Sequence, residues 1–180
     1  MWSRRYALAL IVAALTTAPG CGYALAGRGS FLPDYIRVVG IPQLLNNSTF
    51  FQVEQILTEK IRTEFIGRGR YTVNPSVEGA DAILTGAVTS ITVAPVAFTQ
   101  QQLASRYLFT MTMTVTFTDT RTGQPLWTNA GLTFREEYDL TTRSSTALEG
   151  ATFLSQERSS FDRIASDAAR TVVTAILEAF

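Results

Sequence analysis

The run Tyr107-Leu108-Phe109-Thr110-Met111-Thr112-Met113-Thr114-Val115-Thr116-Phe117-Thr118-Asp119 decides how this chain is read. Phe109, Met111, Met113, Val115 and Phe117 alternate with threonines at a period of two, the spacing at which successive side chains leave a strand on opposite faces. A strand of this pattern belongs to a sheet with one apolar face on a core and one hydroxyl-bearing face turned away. On its N-terminal side, Ala82 to Val93 reads as a second strand. Its apolar phase moves from Leu84, Gly86 and Val88 to Ile91 and Val93, which predicts a bulge near Thr89 and Ser90. On its C-terminal side, Thr122-Gly123-Gln124-Pro125 reads as a hairpin turn into a third strand. There Leu126, Ala130, Leu132, Phe134 and Tyr138 are expected to face inward, and Trp127, Asn129, Thr133, Arg135 and Glu137 outward.

Upstream, Ile36 to Ile41 is a short β-branched run closed by Pro42 and is expected to be a first strand. Asn46-Asn47-Ser48-Thr49 supplies a turn, and Thr49-Phe50-Phe51-Gln52 has the spacing of a capping box. Val53, Leu57, Ile61 and Phe65 recur at every fourth position, predicting an amphipathic helix from about Phe50 to Ile66 that Gly67 and Gly69 end. Downstream, Thr141 to Thr146 is a polar loop. Leu154, Phe161, Ile164, Ala165, Ala168, Val172, Ile176 and Ala179 then follow helical spacing to the C-terminus. The expected fold is a single α+β domain: two amphipathic helices packed on one face of a small mixed, mostly antiparallel sheet, with the threonine face uncovered by the chain itself.

Composition narrows the function. The 180 residues carry 15 basic and 15 acidic side chains, no histidine and one cysteine, with 17% charged residues. A neutral balance does not suit nucleic-acid binding, which needs a basic face to displace counterions. Without histidine, the usual general base near neutral pH and the commonest metal ligand are both missing. No Gly-x-Ser-x-Gly stands in the chain, and adjacent Glu136 and Glu137 point to opposite sheet faces rather than forming a carboxylate pair. The expectation is a protein that is not an enzyme and carries no cofactor. The two glutamates are read either as strand-end solubility residues or as one inward hydrogen-bonding carboxylate.

The N-terminus has a separate purpose. Arg4 and Arg5 precede the apolar run Tyr6 to Leu15, and Thr16 to Gly20 is small and turn-prone, the order of an export signal. The run is about ten residues, roughly 15 Å as a helix, too short for a bilayer core of about 30 Å. Small residues lead directly to the lone cysteine as Ala18-Pro19-Gly20-Cys21, which resembles the lipobox of bacterial lipoproteins, with Ala18 where a leucine is usual. Residues 1–20 are thus expected to be a cleaved signal peptide, residues 21–180 the mature domain, and Cys21 the site of covalent lipid attachment. With no aspartate after the cysteine, where Gly22 stands, the outer membrane is the expected destination. Loss of Arg4 and Arg5 leaves the mature chain slightly acidic.

Several pieces then align. Cys21-Gly22-Tyr23-Ala24-Leu25-Ala26-Gly27 resembles the opening of the outer-membrane lipopolysaccharide-assembly lipoproteins, the LptE family. Leu32-Pro33, Val39-Gly40-Ile41-Pro42, Asn47-Ser48-Thr49, Leu57-Thr58, Glu64-Phe65-Ile66, Ala80-Asp81-Ala82-Ile83-Leu84-Thr85-Gly86, Leu126-Trp127 and Phe134-Arg135-Glu136-Glu137-Tyr138 continue the resemblance in order. It implies a non-catalytic lipoprotein that plugs the β-barrel of the lipopolysaccharide translocon, assists its assembly and helps insert lipopolysaccharide into the outer leaflet. The alternative is an envelope lipoprotein that activates a peptidoglycan synthase or serves another secretion machine.

Lipopolysaccharide phosphates would be met by cations, and every basic residue except Lys60 is arginine, the side chain suited to bidentate contact. Arg106 and Arg121 at strand ends and Arg135 on the third strand are the contact candidates, with Arg68, Arg70 and Arg143 behind them. Trp127 joins them as an interface candidate because tryptophan is enriched at binding hot spots.

Overall fold

The computed structural model describes residues 32–98, 100, 104–139 and 149–178. The expected signal peptide, Cys21, Arg143 and the Thr141–Thr146 loop lie outside the described residues. The elements run β1 (Val38–Gly40), β2 (Leu45–Asn46), α1 (Val53–Gly67), β3 (Thr72–Asn74), β4 (Ala82–Phe98), β5 (Ala104–Asp119), β6 (Pro125–Asp139) and α2 (Glu149–Glu178). They form one mixed sheet in the order β3-β1-β4-β5-β6, with β2 also paired to β4.

The three long strands are the ones whose alternation is written in the sequence. β4 and β5 pair antiparallel from Ala82↔Asp119 to Phe98↔Ala104, and β5 and β6 from Arg106↔Asp139 to Thr118↔Pro125. The expected bulge is present: the β4 register shifts between Val88 and Ser90. A mostly antiparallel sheet, however, is not what forms. Three of the five pairings, β1 with β3, β1 with β4 and β2 with β4, are parallel. The reason is topological. α1 is the crossover between β1 and β3, and a strand that returns through a helix lies parallel to its neighbour. β1 lies within the expected Ile36–Ile41 run, but β2 and β3 are only two and three residues long, so no periodicity announces them.

β1 and β2 lie along the same edge of β4, interrupted at Ile41–Leu44 where Pro42 cannot donate to a ladder. Side chains of α1 satisfy backbone groups left at this gap. Arg62 donates from Nε (3.0 Å) and Nη2 (2.7 Å) to the Ile41 carbonyl, and the Leu44 N–H donates to Thr58 Oγ1 at 3.1 Å. Thr58 is buried and its hydroxyl donates in turn to the Glu54 carbonyl. Without that hydroxyl a buried N–H would stand unpaired, at a cost of about 1–3 kcal/mol. Gly86 serves the same region in another way. A Cβ there would stand 2.5 Å from the Thr114 carbonyl oxygen and 3.2 Å from Leu44, so only glycine fits against the β5 backbone under Leu44.

The start of α1 departs from the expected capping box. The residue before the helix is Gln52, in the left-handed region at φ 65°, and no side chain caps the first turn. Asn46 organises the entry instead. Its amide donates to the Phe50 carbonyl (2.6 Å) and to Glu54 Oε2 (2.9 Å), and its Oδ1 accepts from the Ser48 N–H (2.9 Å). This is the turn-forming habit of asparagine winning over a threonine cap.

The core is built from the apolar stripes. Phe109, Met111, Met113, Val115 and Phe117 are all at most 1% exposed. Phe65 of α1 stacks on Phe117 at 6.3 Å, and Phe161 of α2 lies 6.1 Å from Phe109, which Phe50 meets edge-on at 5.7 Å. Phe109 and Phe117 belong to one alternating set on β5, so both helices reach the same apolar stripe. Val53, Leu57, Ile61 and Phe65 of α1, and Phe161, Ile164, Ala165, Ala168, Val172 and Ile176 of α2, are buried as their spacing requires. α2 is longer than expected, beginning at Glu149.

Candidate functional site

The second face of the long strands is a hydroxyl surface three strands wide. Register places Thr85, Thr116 and Thr128 in one row across β4, β5 and β6, and Ser90, Thr112 and Thr133 in another. A third row is Thr92, Thr110 and Arg135. Residues directly opposite on neighbouring strands share a face, so these rows are contiguous. Along β5 the array from Thr110 to Thr118 is about 27 Å long at about 3.4 Å per residue. Thr112 Oγ1 lies 3.5 Å from Thr133 Oγ1, and Thr89 Oγ1, displaced by the bulge, donates to the Thr112 carbonyl at 3.0 Å. The β5 threonines are half-buried by neighbouring strands, and the ring contacts of both helices go to the opposite face. The surface is nearly uncharged and offers both donors and acceptors.

The predicted contact residues are not brought together. Arg135 stands on the hydroxyl face and makes no ion pair with a described residue. Arg106 is on the same face at the far end of β5, held by Asp139 at 2.7 Å and Glu137 at 3.5 Å. The Asp139 hydrogen bond is the main cause raising its pKa further above the ordinary arginine value. Arg121 is at the other end of β5, roughly 45 Å from Arg106 by strand rise. Its guanidinium sits 4.4 Å from the centroid of the Tyr35 ring.

Trp127 is not on the outer face, where the alternation put it. The β5–β6 register shifts between Met113 and Val115, so one residue is gained around Ala130 and Gly131 and the phase reverses. Trp127 consequently opposes Phe117 and packs half-buried against the core, while Ala130, expected inside, is exposed. Arg68 is occupied by Glu64 (2.9 Å) and Thr174 (2.8 Å). Glu136 is the inward carboxylate, accepting from Arg163 of α2 at 2.7 Å, and Glu137 lies on the other face.

Two features had little signal in the sequence. One is a largely apolar cavity of about 640 Å³ lined chiefly by Phe50, Phe51, Val53, Ile56, Phe109 and Phe161, with Arg158 and Asp162 of α2 also on its wall, at which Phe51 is 93% exposed. The Phe50-Phe51 pair beside a turn is its only trace. The other is a charged lock at the β5–β6 turn. Asp119, 2% exposed, accepts from Tyr35 Oη (2.7 Å), the Arg121 N–H (2.8 Å) and Thr122 Oγ1 (3.0 Å). The Tyr35 hydrogen bond is the largest cause holding the Asp119 carboxyl below its ordinary pKa, and it raises Tyr35 above its own. Nearby Asp81 is lowered by hydrogen bonds from the Val38 and Arg37 N–H groups.

Because the folded-state carboxyl pKa is depressed, this stabilisation is present above the unfolded value of about 3.9 and is lost as pH falls through the folded one. The raised Tyr35 acts oppositely: its contribution is complete below about 10 and is lost as pH rises through its folded pKa. Asp119→Asn is therefore expected to be less stable than the parent at pH 7, with the difference narrowing below about pH 4. Urea unfolding of both proteins across that range checks this, and a gap independent of pH would contradict it.

Among the described residues, no group of three or more potential metal ligands occurs, and no helix is long and apolar enough to cross a membrane. The fold is one that solved bacterial lipoproteins adopt. Lipoprotein B from Nitrosomonas europaea superposes with a TM-score of 0.54 at 12% identity, covering 87% of this chain and 90% of its own. A minor lipoprotein from Acinetobacter baumannii gives 0.52 at 14% identity, covering 80% and 92%. No curated protein matches the sequence. The model of the LptE family, lipopolysaccharide-assembly, matches residues 39–176, and the chain belongs to that family.

Proposed function

We propose that this protein is a non-catalytic, lipid-anchored subunit of the lipopolysaccharide-export machinery, seated in the lumen of its outer-membrane β-barrel. There it supports barrel assembly and the insertion of lipopolysaccharide into the outer leaflet. Residues 1–20 direct export and Cys21 carries the lipid, with several acyl chains giving a durable anchor where a single chain would not. Family membership supports a role in lipopolysaccharide assembly. The observation that carries the barrel contact is the hydroxyl array of Thr85, Thr116 and Thr128, Ser90, Thr112 and Thr133. Large barrels have polar interiors. Hydroxyls can donate and accept against such a wall without the desolvation penalty of charge. Arg135 ends this array as the cation best placed to meet a lipopolysaccharide phosphate.

A photo-crosslinking residue placed at Thr112 or Thr116 is expected to capture a large outer-membrane barrel in cells. The same residue at Gln55 or Thr63, exposed on α1, is expected to capture it weakly or not at all. The reverse pattern would turn the molecule round in the lumen, and no barrel adduct from either set would refute the seating.

A further inference from the structure

At the end of the molecule where the described chain begins, Leu32, Pro33, Asp34, Ile36, Arg37 and Arg70, with Tyr71, line a cavity of about 520 Å³. Arg37 follows the buried Ile36 into β1, and Arg70 follows the Gly69 turn that ends α1 at φ 69°. The Arg37 backbone is held by hydrogen bonds, and the strand that follows Arg70 is tied to it. The Arg37 N–H donates to Asp81 (2.9 Å), and the Thr72 N–H next to Arg70 and Tyr71 donates to the Arg37 carbonyl (2.8 Å). The two guanidiniums are therefore carried on adjoining, hydrogen-bonded segments. Neither makes an ion pair with a described residue, although Arg62, Arg68, Arg106 and Arg163 all do. Asp34 is the one acid of the lining, so cations outnumber anions there. Tyr71 closes the inner side, its ring edge-on to Phe65 at 6.3 Å.

We infer that Arg37 and Arg70 form a binding site for the phosphate of a phospholipid headgroup in the membrane to which the chain is tethered. Two exposed guanidiniums on adjoining segments, neither within ion-pair distance of a described acid, offer the N–H donors that phosphate oxygens accept. The location favours a headgroup over a free anion. Leu32 is eleven residues from Cys21, which limits the distance between them to about 40 Å, and the cavity opens beside Leu32 itself. For that placement alone the inference rests on lipid attachment at Cys21. It does not depend on the barrel seating, which concerns the hydroxyl face.

The test is flotation with vesicles of phosphatidylcholine alone or phosphatidylcholine with phosphatidylglycerol, using the mature chain, residues 21–180, with Cys21→Ser so that neither the apolar signal segment nor the lipid anchor dominates. Added Arg37→Gln and Arg70→Gln are expected to weaken binding to the anionic vesicles by about fivefold each and about 25-fold together. The pair Arg158→Gln and Arg170→Gln removes the same charge from α2 and is expected to change binding less than twofold. Equal losses from the two pairs would mean non-specific attraction and would overturn the site. Displacement by millimolar inorganic phosphate without any dependence on vesicle composition would overturn the headgroup assignment, as would tighter capture by lipopolysaccharide vesicles than by phosphatidylglycerol. Melting temperatures of all variants should stay within a few degrees of the parent, since both side chains are exposed; a much lower one for Arg37→Gln or Arg70→Gln would assign these arginines to structure.

Discussion

Phe109→Ala is expected to destabilise the protein by about 3–5 kcal/mol, the usual cost of deleting a fully buried phenylalanine. The position is a junction. Its ring is met by Phe50 from the segment before α1 and by Phe161 from α2, at 5.7 and 6.1 Å, and it is 0% exposed. Truncation would leave a hole between three separate parts of the chain, none of which can collapse into it without shifting a helix. Natural domains are stable by only about 5–15 kcal/mol, so the loss is a large share of the total. For a domain of this size it corresponds to a fall of about 10 °C or more in melting temperature. Thermal unfolding by circular dichroism reads it directly. A change below about 1 kcal/mol would mean that the Phe50-Phe109-Phe161 contact is not part of the folded core.

The second large effect concerns binding. Thr112→Arg together with Thr116→Arg places two long cations in the middle rows of the hydroxyl face and, if that face seats in a barrel as proposed, should disrupt the complex. Both positions are half-buried on the side away from the core, so the folded chain should melt within a few degrees of the parent. Against a close-fitting polar wall, each guanidinium would have to be accommodated where a hydroxyl stood. An unpaired charge at a buried interface costs several kcal/mol. Co-purification of the barrel from detergent-extracted membranes is expected to fall at least about tenfold. Undiminished recovery of the barrel with the double variant would remove the hydroxyl face from the interface, whatever the crosslinks show.

How much could be read beforehand follows from local regularity. β5 was legible because its period of two runs unbroken from Phe109 to Thr118, and the bulge in β4 because its apolar phase visibly slips at Thr89 and Ser90. Trp127 was misplaced because the shift in β6 falls at Ala130-Gly131, two small residues whose pattern cannot reveal a change of phase. The parallel edge was illegible for another reason. β2 and β3 have two and three residues, and they are held by long-range partners such as β4 and β1. The helix start was misassigned because Asn46, seven residues before Val53, reaches forward to Phe50 and Glu54, which no short motif records. Among the site candidates, residue type identified the arginines, but only tertiary contacts separate the occupied Arg68, Arg106 and Arg121 from Arg70 and Arg135, which make no ion pair with a described residue, and nothing in the sequence singles out Arg37.

The irregularities of β4 also bear on how the protein behaves before it meets a partner. β2 covers β4 only at Ala87 and Val88, so among the described strands the outer edge from Ile91 to Phe98 has no neighbour. A free edge of that length is ordinarily a template on which further copies can polymerise. Here Pro95 contributes no N–H, and register shifts at Val88/Ser90 and Pro95/Ala97 bound the regular stretch on either side. A second copy could therefore propagate a ladder over only a few residues before losing step. The same kinks that interrupt the β4 ladder limit the growth of one copy on the edge of another.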